Sequence, residues 1–391
     1  MLRPPRVARA GAERGSAMDV VIVGAGIVGA ASALALARAG CRVTVVEERF
    51  PGGGATAAGM GHVVVIDDSP AQIALTSRGR ALWESLAPHL PAAAEYRRPG
   101  TAWVAAADDE LAEAAAKAER LAAAGVAARL IGPEELAHLE PALRPGLAGA
   151  LVVPDDAVVY PPPVAAWMVA EAVAAGARLR RGVAATAVEP GGVLRLADGG
   201  RIEADAVVVA TGAAAARLVP GVPIRPRKGH LVITDRAPGL IRHQIVELGY
   251  VKRAHDVGTD SVAFNVQPRA TGQVLVGSSR QIDVTSSAVE PKLLETMLAR
   301  CFEYLPRLAT VPAIRVWTGL RAATPDGLPL VGPWPAIAGL WLATGHEGLG
   351  ITTAPATAEG LVAALLGRAA PVDPAPWLPA RFLAVPVEAA R

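Results

Sequence analysis

The chain is short of cysteine and of net charge, and each shortage narrows what it can be. Of its 391 residues only Cys41 and Cys301 are cysteines. They lie far apart and match no zinc or iron–sulfur ligand spacing, which fits a reduced, cytoplasmic setting. Lysine and arginine number 38, aspartate and glutamate 36. Phosphate binding asks for a clear positive excess on one face, so nucleic acid is not an expected partner. No apolar run reaches the roughly 20 residues of a membrane-crossing helix; Ile27 to Ala39 is apolar but has the length of a core helix. Residues 1–17 carry Arg3, Arg6, Arg9 and Arg14 without the apolar block of a signal peptide. They read as a disordered tail; a basic arm lying on the inner membrane is the alternative. What the chain does have is hydrophobic residues, 52% of the total, enough for a large core and two interleaved domains.

Hydrophobic patterning predicts a strand over 19–23, a helix over 27–39 and a strand over 42–46, one βαβ step. A loop poor in charge and rich in glycine follows, Pro51 to His62. Helices are expected over 79–90 and 108–124, after Gly132-Pro133, and from Pro161-Pro162-Pro163 through Ala175. Strands are expected over 183–189, 193–197 and 205–210, the last apolar throughout like a strand buried on both faces. Residues 228–282 read as an antiparallel sheet, with strands Gly229–Thr234, Ser261–Val266 and Gln273–Gly277, and 290–305 as a helix. The chain is then expected to return to the first domain through Ile314–Gly319 and 340–345, ending in a helix over 351–367.

The first βαβ step carries Gly24-Ala25-Gly26-Ile27-Val28-Gly29 directly after its strand and Glu47 at the end of the second. Gly24 permits the tight turn, Gly26 lets backbone approach a pyrophosphate, and Gly29 lets helix and sheet pack closely. A helix start offers amide donors to phosphate, and an acid about 20 residues on accepts ribose hydroxyls, which disfavours NADP. Near the other end, Leu342-Ala343-Thr344-Gly345-His346-Glu347-Gly348-Leu349-Gly350-Ile351 is a second glycine-rich helix start. Val209-Ala210-Thr211-Gly212 ends like Leu342 to Gly345, as if two strands stop at one ligand. The small residues of the 51–62 loop can lie along a flavin, and amides at Gly348 and Gly350 can face its carbonyl edge. Together these favour FAD over NAD.

The chain resembles the FAD-dependent amino-acid and amine oxidoreductases of the D-amino-acid oxidase superfamily, in the glycine oxidase and sarcosine oxidase branch. The resemblance spans residues 18 to about 370. It is carried by Val20–Gly29 with Glu47, Ala55–Gly61, Asp205–Gly212, Trp317–Arg321 with Thr324-Pro325-Asp326-Gly327-Leu328-Pro329, Thr344–Ile351 and Ala354-Pro355-Ala356-Thr357. The stretches Ala55–His62 and Arg227–Arg280 look most like bacterial D-hydroxyproline dehydrogenases. The resemblance implies hydride loss from an amine carbon beside a carboxylate, leaving an imine that hydrolyses or stays cyclic when the substrate is a proline. It implies that Arg321 grips the substrate carboxylate. Asn265 falls where glycine oxidases carry a substrate-facing tyrosine, and His346 and Glu347 fall beside the flavin edge. Glu347 also suits helix capping. Tyr250, Glu247 and His255 belong to the same presumed domain without assigned roles. Gly319 falls where the covalent sarcosine oxidases attach flavin to cysteine, so FAD is expected to be noncovalent.

The expectation is therefore an α/β two-domain enzyme. A Rossmann-type FAD-binding domain (18–90, 150–220 and 311–391) is interleaved with an antiparallel-sheet substrate domain (91–149 and 221–310). The cofactor contacts expected are Gly24, Gly26, Ile27, Val28, Gly29, Glu47, Glu48, Thr56, Ala57, Ala58, Gly59, Met60, Gly61, His62, Gly212, Gly319, Gly345, Gly348, Leu349, Gly350 and Ile351. No metal is expected. The favoured substrate is cis-4-hydroxy-D-proline or D-proline. A glycine/sarcosine-type oxidase, an opine-dehydrogenase-like subunit, and a non-catalytic flavin-binding protein are the alternatives. The electron acceptor is left open among oxygen, a quinone and a partner subunit with flavin or iron–sulfur centres.

Overall fold

Short Val- and Ala-rich segments build a six-stranded sheet at one end of the molecule. The structure is a computed structural model that describes residues 17–65, 67–249 and 260–383. The sheet runs in the order Leu330–Pro333, Leu340–Thr344, Ala206–Val209, Asp19–Val23, Arg42–Glu47, Arg178–Arg181. All neighbours are parallel except the Leu330–Pro333 edge. Val20, Ile22, Val43 and Val45 point to one face and pack under three helices, Ile27–Arg38, Pro161–Ala174 and Gly350–Leu365. Val21, Val23, Val46, Val207 and Val209 point to the other, where Val188, Leu194 and Leu196 of a three-stranded antiparallel sheet cover them. Both faces are buried, which is why the central strands lack polar alternation.

The second sheet has eight strands, in the order Ala313–Ala323, Arg225–Arg236, Gln273–Ile282, Ser261–Pro268, Gln244–Glu247, Thr101–Ala105, Gly149–Val153, Arg129–Ile131. Seven neighbour pairings exist; six are antiparallel, and Gln244–Glu247 runs parallel to Thr101–Ala105. Phe264, Val266, Val274 and Val276 face the helix Pro291–Tyr304 and pack on Met297, Cys301 and Tyr304. The Phe264 and Tyr304 rings stack with centroids 4.6 Å apart. Glu247 belongs to this helix-covered face, buried against Arg300 and accepting from the Phe264 N–H. It is a packing residue, away from Asn265 on the opposite face. Tyr250 and His255 lie outside the described residues.

Several elements differ from the sequence reading. The helix expected over 79–90 runs over Pro70–Leu86, because Ser69 caps it by accepting from Gln72 N–H and proline occupies its first position. Strand Ala313–Ala323, read as part of the return to the cofactor domain, pairs with Arg225–Arg236 in the eight-stranded sheet over its whole length. That correction matters, because this strand carries Trp317, Gly319 and Arg321. Among the described residues no helix is long and apolar enough to cross a membrane.

The turn between the first strand and helix is as tight as the glycine spacing demands. A Cβ at Gly29 would lie 1.9 Å from Gly24 O. Gly29→Ala should therefore force the turn open at about 1–3 kcal/mol. It is expected to lower Tm and to leave the purified protein depleted of flavin, read from the ratio of visible to ultraviolet absorbance; full flavin content would contradict this account of the turn.

Candidate active site

Three segments from distant parts of the chain converge at the carboxyl ends of the parallel strands. Gly24 takes φ +99°, a value that side chains resist, and a Cβ there would meet Ala210 O at 2.8 Å. Its N–H donates to Val46 O at 2.8 Å. Glu47 is fixed by two backbone donors, Ala25 N–H at 2.7 Å and Arg49 N–H at 2.8 Å, while Glu48 beside it is exposed. The Ile27 N–H donates to Thr56 Oγ1 at 2.9 Å, so the glycine turn and the second loop are hydrogen-bonded together. Gly26 packs on the same hydroxyl. The third segment closes on the first: a Cβ on Gly350 would lie 3.9 Å from Val28 Cγ2. A Cβ on Gly59 would lie 3.0 Å from Ile351 Cδ1. Thr344 Oγ1 donates to Gly212 O at 3.1 Å, joining the two strand ends that the sequence shows as twins.

Not every expected donor is available to a ligand. Gly348 N–H donates to Glu347 Oε2 at 2.8 Å and Leu349 N–H to His346 O at 2.9 Å. The first bond of the helix itself is Thr353 N–H to Leu349 O. The amides of Gly350, Ile351 and Thr352 therefore head the helix, starting two residues after Gly348. Gly345, at φ +80°, packs on Thr324 and turns the chain into this segment.

The 51–62 loop is held between the two sheets. Ala55–Ala58 forms a single helical turn containing Thr56 and Ala57. The Ala58 carbonyl accepts from Trp317 Nε1 at 3.2 Å. A Cβ on Gly319 would lie 2.5 Å from Ala58 Cβ, so no cysteine fits at that position without moving the loop. Met60 packs on Leu231 and Leu275 of the eight-stranded sheet. Gly61 lies against the Val159 carbonyl, and His62 pairs with Val158.

Beyond Gly319 the same strand presents Arg321. Its Nη1 donates to Ser279 O at 3.1 Å. It lies over Gly229, where a Cβ would be 2.7 Å from that nitrogen. Arg227 sits directly across the strand pair from Arg321. Like charges so placed repel unless an anion lies between them. Glu347 supplies one: Arg227 Nη1 is 3.2 Å and Arg280 Nε 3.9 Å from its Oε1. Burial pushes the Glu347 carboxyl up, but the charges of Arg280, Arg321 and Arg227 outweigh it and hold the group at about 2. Glu347 is also one of three described non-glycine residues at positive φ, +47°, with its N–H on Ala322 O. His346 is different. It is buried, its Nε2 lies 3.0 Å from Thr357 Oγ1, and burial pulls its pKa down to about 4, so it is a neutral packing histidine.

Asn265 sits at the junction of loop and sheet, its Nδ2 3.1 Å from His62 Nε2. Arg227, Arg280, Gly229, Gln244 and Gln267 lie within the stretch Arg227–Arg280 that carries part of the resemblance, but none had a site role from the sequence. Only the alternation of Arg227 with Gly229, and of Asn265 with Gln267, along half-apolar strands hinted at a polar face.

These features fit a flavin dinucleotide. An acid fixed at a strand end can meet the ribose, the glycine turn can meet the pyrophosphate, and a small-residue loop lies between two sheets. Comparison with known proteins agrees. Residues 19–365 match the DAO family, FAD dependent oxidoreductase. Glycine oxidase of Pseudomonas aeruginosa is 30% identical over 382 residues, covering 92% of this chain and 98% of that enzyme. D-amino acid dehydrogenase of Cereibacter sphaeroides is 29% identical over 434 residues, covering 92% and 94%. The crystal structure of glycine oxidase from Geobacillus kaustophilus superposes with a TM-score of 0.83 at 27% identity, over 92% of this chain and 98% of that one. The chain thus belongs to the DAO family of FAD dependent oxidoreductases: it is an oxidoreductase, and its cofactor is FAD.

Proposed function

We propose that the protein oxidises a secondary or D-configured amino acid, with cis-4-hydroxy-D-proline or D-proline as substrate and the cyclic imine as product. The observation that carries the amino-acid reading is the charge balance at Glu347, where three guanidinium groups act on one carboxylate. That excess suits a second carboxylate, the substrate's own. FAD, when bound, supplies the two-electron acceptor. Arg321 holds the carboxylate and so fixes which face of the neighbouring carbon is turned to the cofactor. The neutral amine would then give up a hydride from its carbon to that acceptor while the nitrogen lone pair becomes the second bond of C=N, and the iminium so formed releases its N–H proton to water to leave the cyclic imine. The choice of a proline rests on the resemblance of Ala55–His62 and Arg227–Arg280 to D-hydroxyproline dehydrogenases. The names of relatives, a glycine oxidase and a D-amino acid dehydrogenase, support an amino-acid substrate.

Arg321→Ala should raise KM for the amino acid about 10- to 100-fold, the worth of a lost charge-assisted bond, and leave FAD bound. Steady-state kinetics with unaltered KM would remove Arg321 from the site. Glu347 is ionised throughout the assay range, so it neither gives nor takes a proton there. In Glu347→Gln the pH midpoint of kcat/KM should stay where the substrate amine sets it; a displaced midpoint would make Glu347 a proton carrier. The tight seat of Gly319 on Ala58 supports noncovalent FAD. Acid precipitation should leave all the yellow colour in the supernatant, and colour in the pellet would contradict that.

A further inference from the structure

A chain of hydrogen bonds runs through the eight-stranded sheet to Asn265, and its direction can be worked out from one fixed end. Gln244 Nε2 lies 3.2 Å from the Ala157 carbonyl oxygen and 3.2 Å from Thr101 Oγ1. A backbone carbonyl only accepts, so this end of the amide must be the NH2. Gln244 Oε1 is then the end that meets His62 Nδ1, and Nδ1 must carry the proton. His62 is neutral: burial lowers its pKa and outweighs the hydrogen bonds to Gln244 and Asn265 that raise it, with the charge of Arg321 adding to the lowering. Its Nε2 is therefore a bare acceptor and takes a hydrogen from Asn265 Nδ2 at 3.1 Å. That leaves Asn265 Oδ1 on the other side of the amide. It is buried, in a residue only 8% exposed, and has no partner among the described residues. The far end of the chain is stable in either charge state of its last member. Burial pushes the Asp156 carboxyl, hydrogen-bonded to Thr101, up to about 7. The Ala157 carbonyl still fixes Gln244 when Asp156 titrates.

Resting on the substrate reading above, we propose that Gln244 and His62 are positioning residues that turn the Asn265 amide so that its Oδ1 accepts a hydrogen bond from the substrate. The donor is the amine N–H or a ring hydroxyl. The position thus recognises a donor and is closed to a carboxylate, which Arg321 takes. An unsatisfied buried carbonyl is costly, and a substrate N–H or O–H relieves it. Gln267, on the same face two residues along, has no partner for either amide atom among the described residues and extends the polar surface.

The test uses the FAD-loaded enzyme with D-proline and cis-4-hydroxy-D-proline. Gln244→Leu removes the acceptor for His62 Nδ1–H, so the imidazole can hold its proton on Nε2 and drive Asn265 to turn its NH2 inward. kcat/KM should fall about 10- to 100-fold. Gln244→Glu, whose protonated carboxyl donates to Ala157 O and accepts from His62, should stay within about threefold of wild type. An equal fall for both substrates assigns the amine as donor; a fall confined to the hydroxylated one assigns the hydroxyl. Wild-type rates in Gln244→Leu, or losses as large in Gln244→Glu as in Gln244→Leu, would overturn the proposal. If the leucine variant does not retain FAD, Gln244→Met of similar shape takes its place, with the same expected loss and the same contrary result. Failure of the amino-acid reading is distinct: neither proline would then turn over in the wild type.

Discussion

The arrangement of the site depends on one close approach, that of the Ala55–Ala58 turn to strand Ala313–Ala323. Alternate residues of that strand share a face, and three in succession divide the work. Trp317 hydrogen-bonds the Ala58 carbonyl, Gly319 lets the turn come within van der Waals contact, and Arg321 carries the charge. A side chain at Gly319 would lift the loop and, with it, Met60 and His62. The cofactor loop and the substrate sheet are thus registered by the strand that also bears the candidate carboxylate ligand. That couples where a flavin would lie to where a carboxylate would be held, within a single rigid element.

The electrostatics follow from the same packing. Arg227 and Arg321 face each other across paired strands, with Arg280 close by, an arrangement that repels itself. Glu347 offsets part of it, from a left-handed residue just ahead of the helix Gly350–Leu365. Because that helix start also packs on Val28 and on Gly59, the counter-charge is fixed relative to the glycine turn. His346 next to it is neutral and occupied with Thr357. The charged side of the candidate site holds the Glu347 carboxylate, and the other side, from His62 to Asn265, is lined by neutral amide and imidazole groups.

Much of the cofactor domain was legible in the sequence because its signals are local. Gly24, Gly26, Gly29 and Glu47 fall within one βαβ step, and Val207–Val209 is a run that only a doubly covered strand tolerates. The edge strand Arg178–Arg181 was missed, since three of its four residues are arginine and it buries almost nothing. Thr101–Ala105 and Gly149–Val153 were missed for the opposite reason: fully buried, they show no alternation. The candidate site was half legible. Arg321 and Glu347 could be named from the resemblance. Their partners Arg227 and Arg280 could not, because a strand pairing across roughly 90 residues leaves no trace in local spacing. Gln244 is an ordinary polar residue in sequence. Its meaning comes only from the Ala157 carbonyl, which fixes the direction of its amide.

The central claim is that this flavoprotein takes electrons from an amino acid held by its carboxylate beside the flavin loop. The most direct test is an anaerobic visible spectrum of the purified yellow protein, before and after addition of cis-4-hydroxy-D-proline, D-proline, sarcosine and glycine in separate cuvettes. The account predicts bleaching of the flavin band by the two prolines. An oxidised spectrum unchanged by all four, with FAD present, would contradict it.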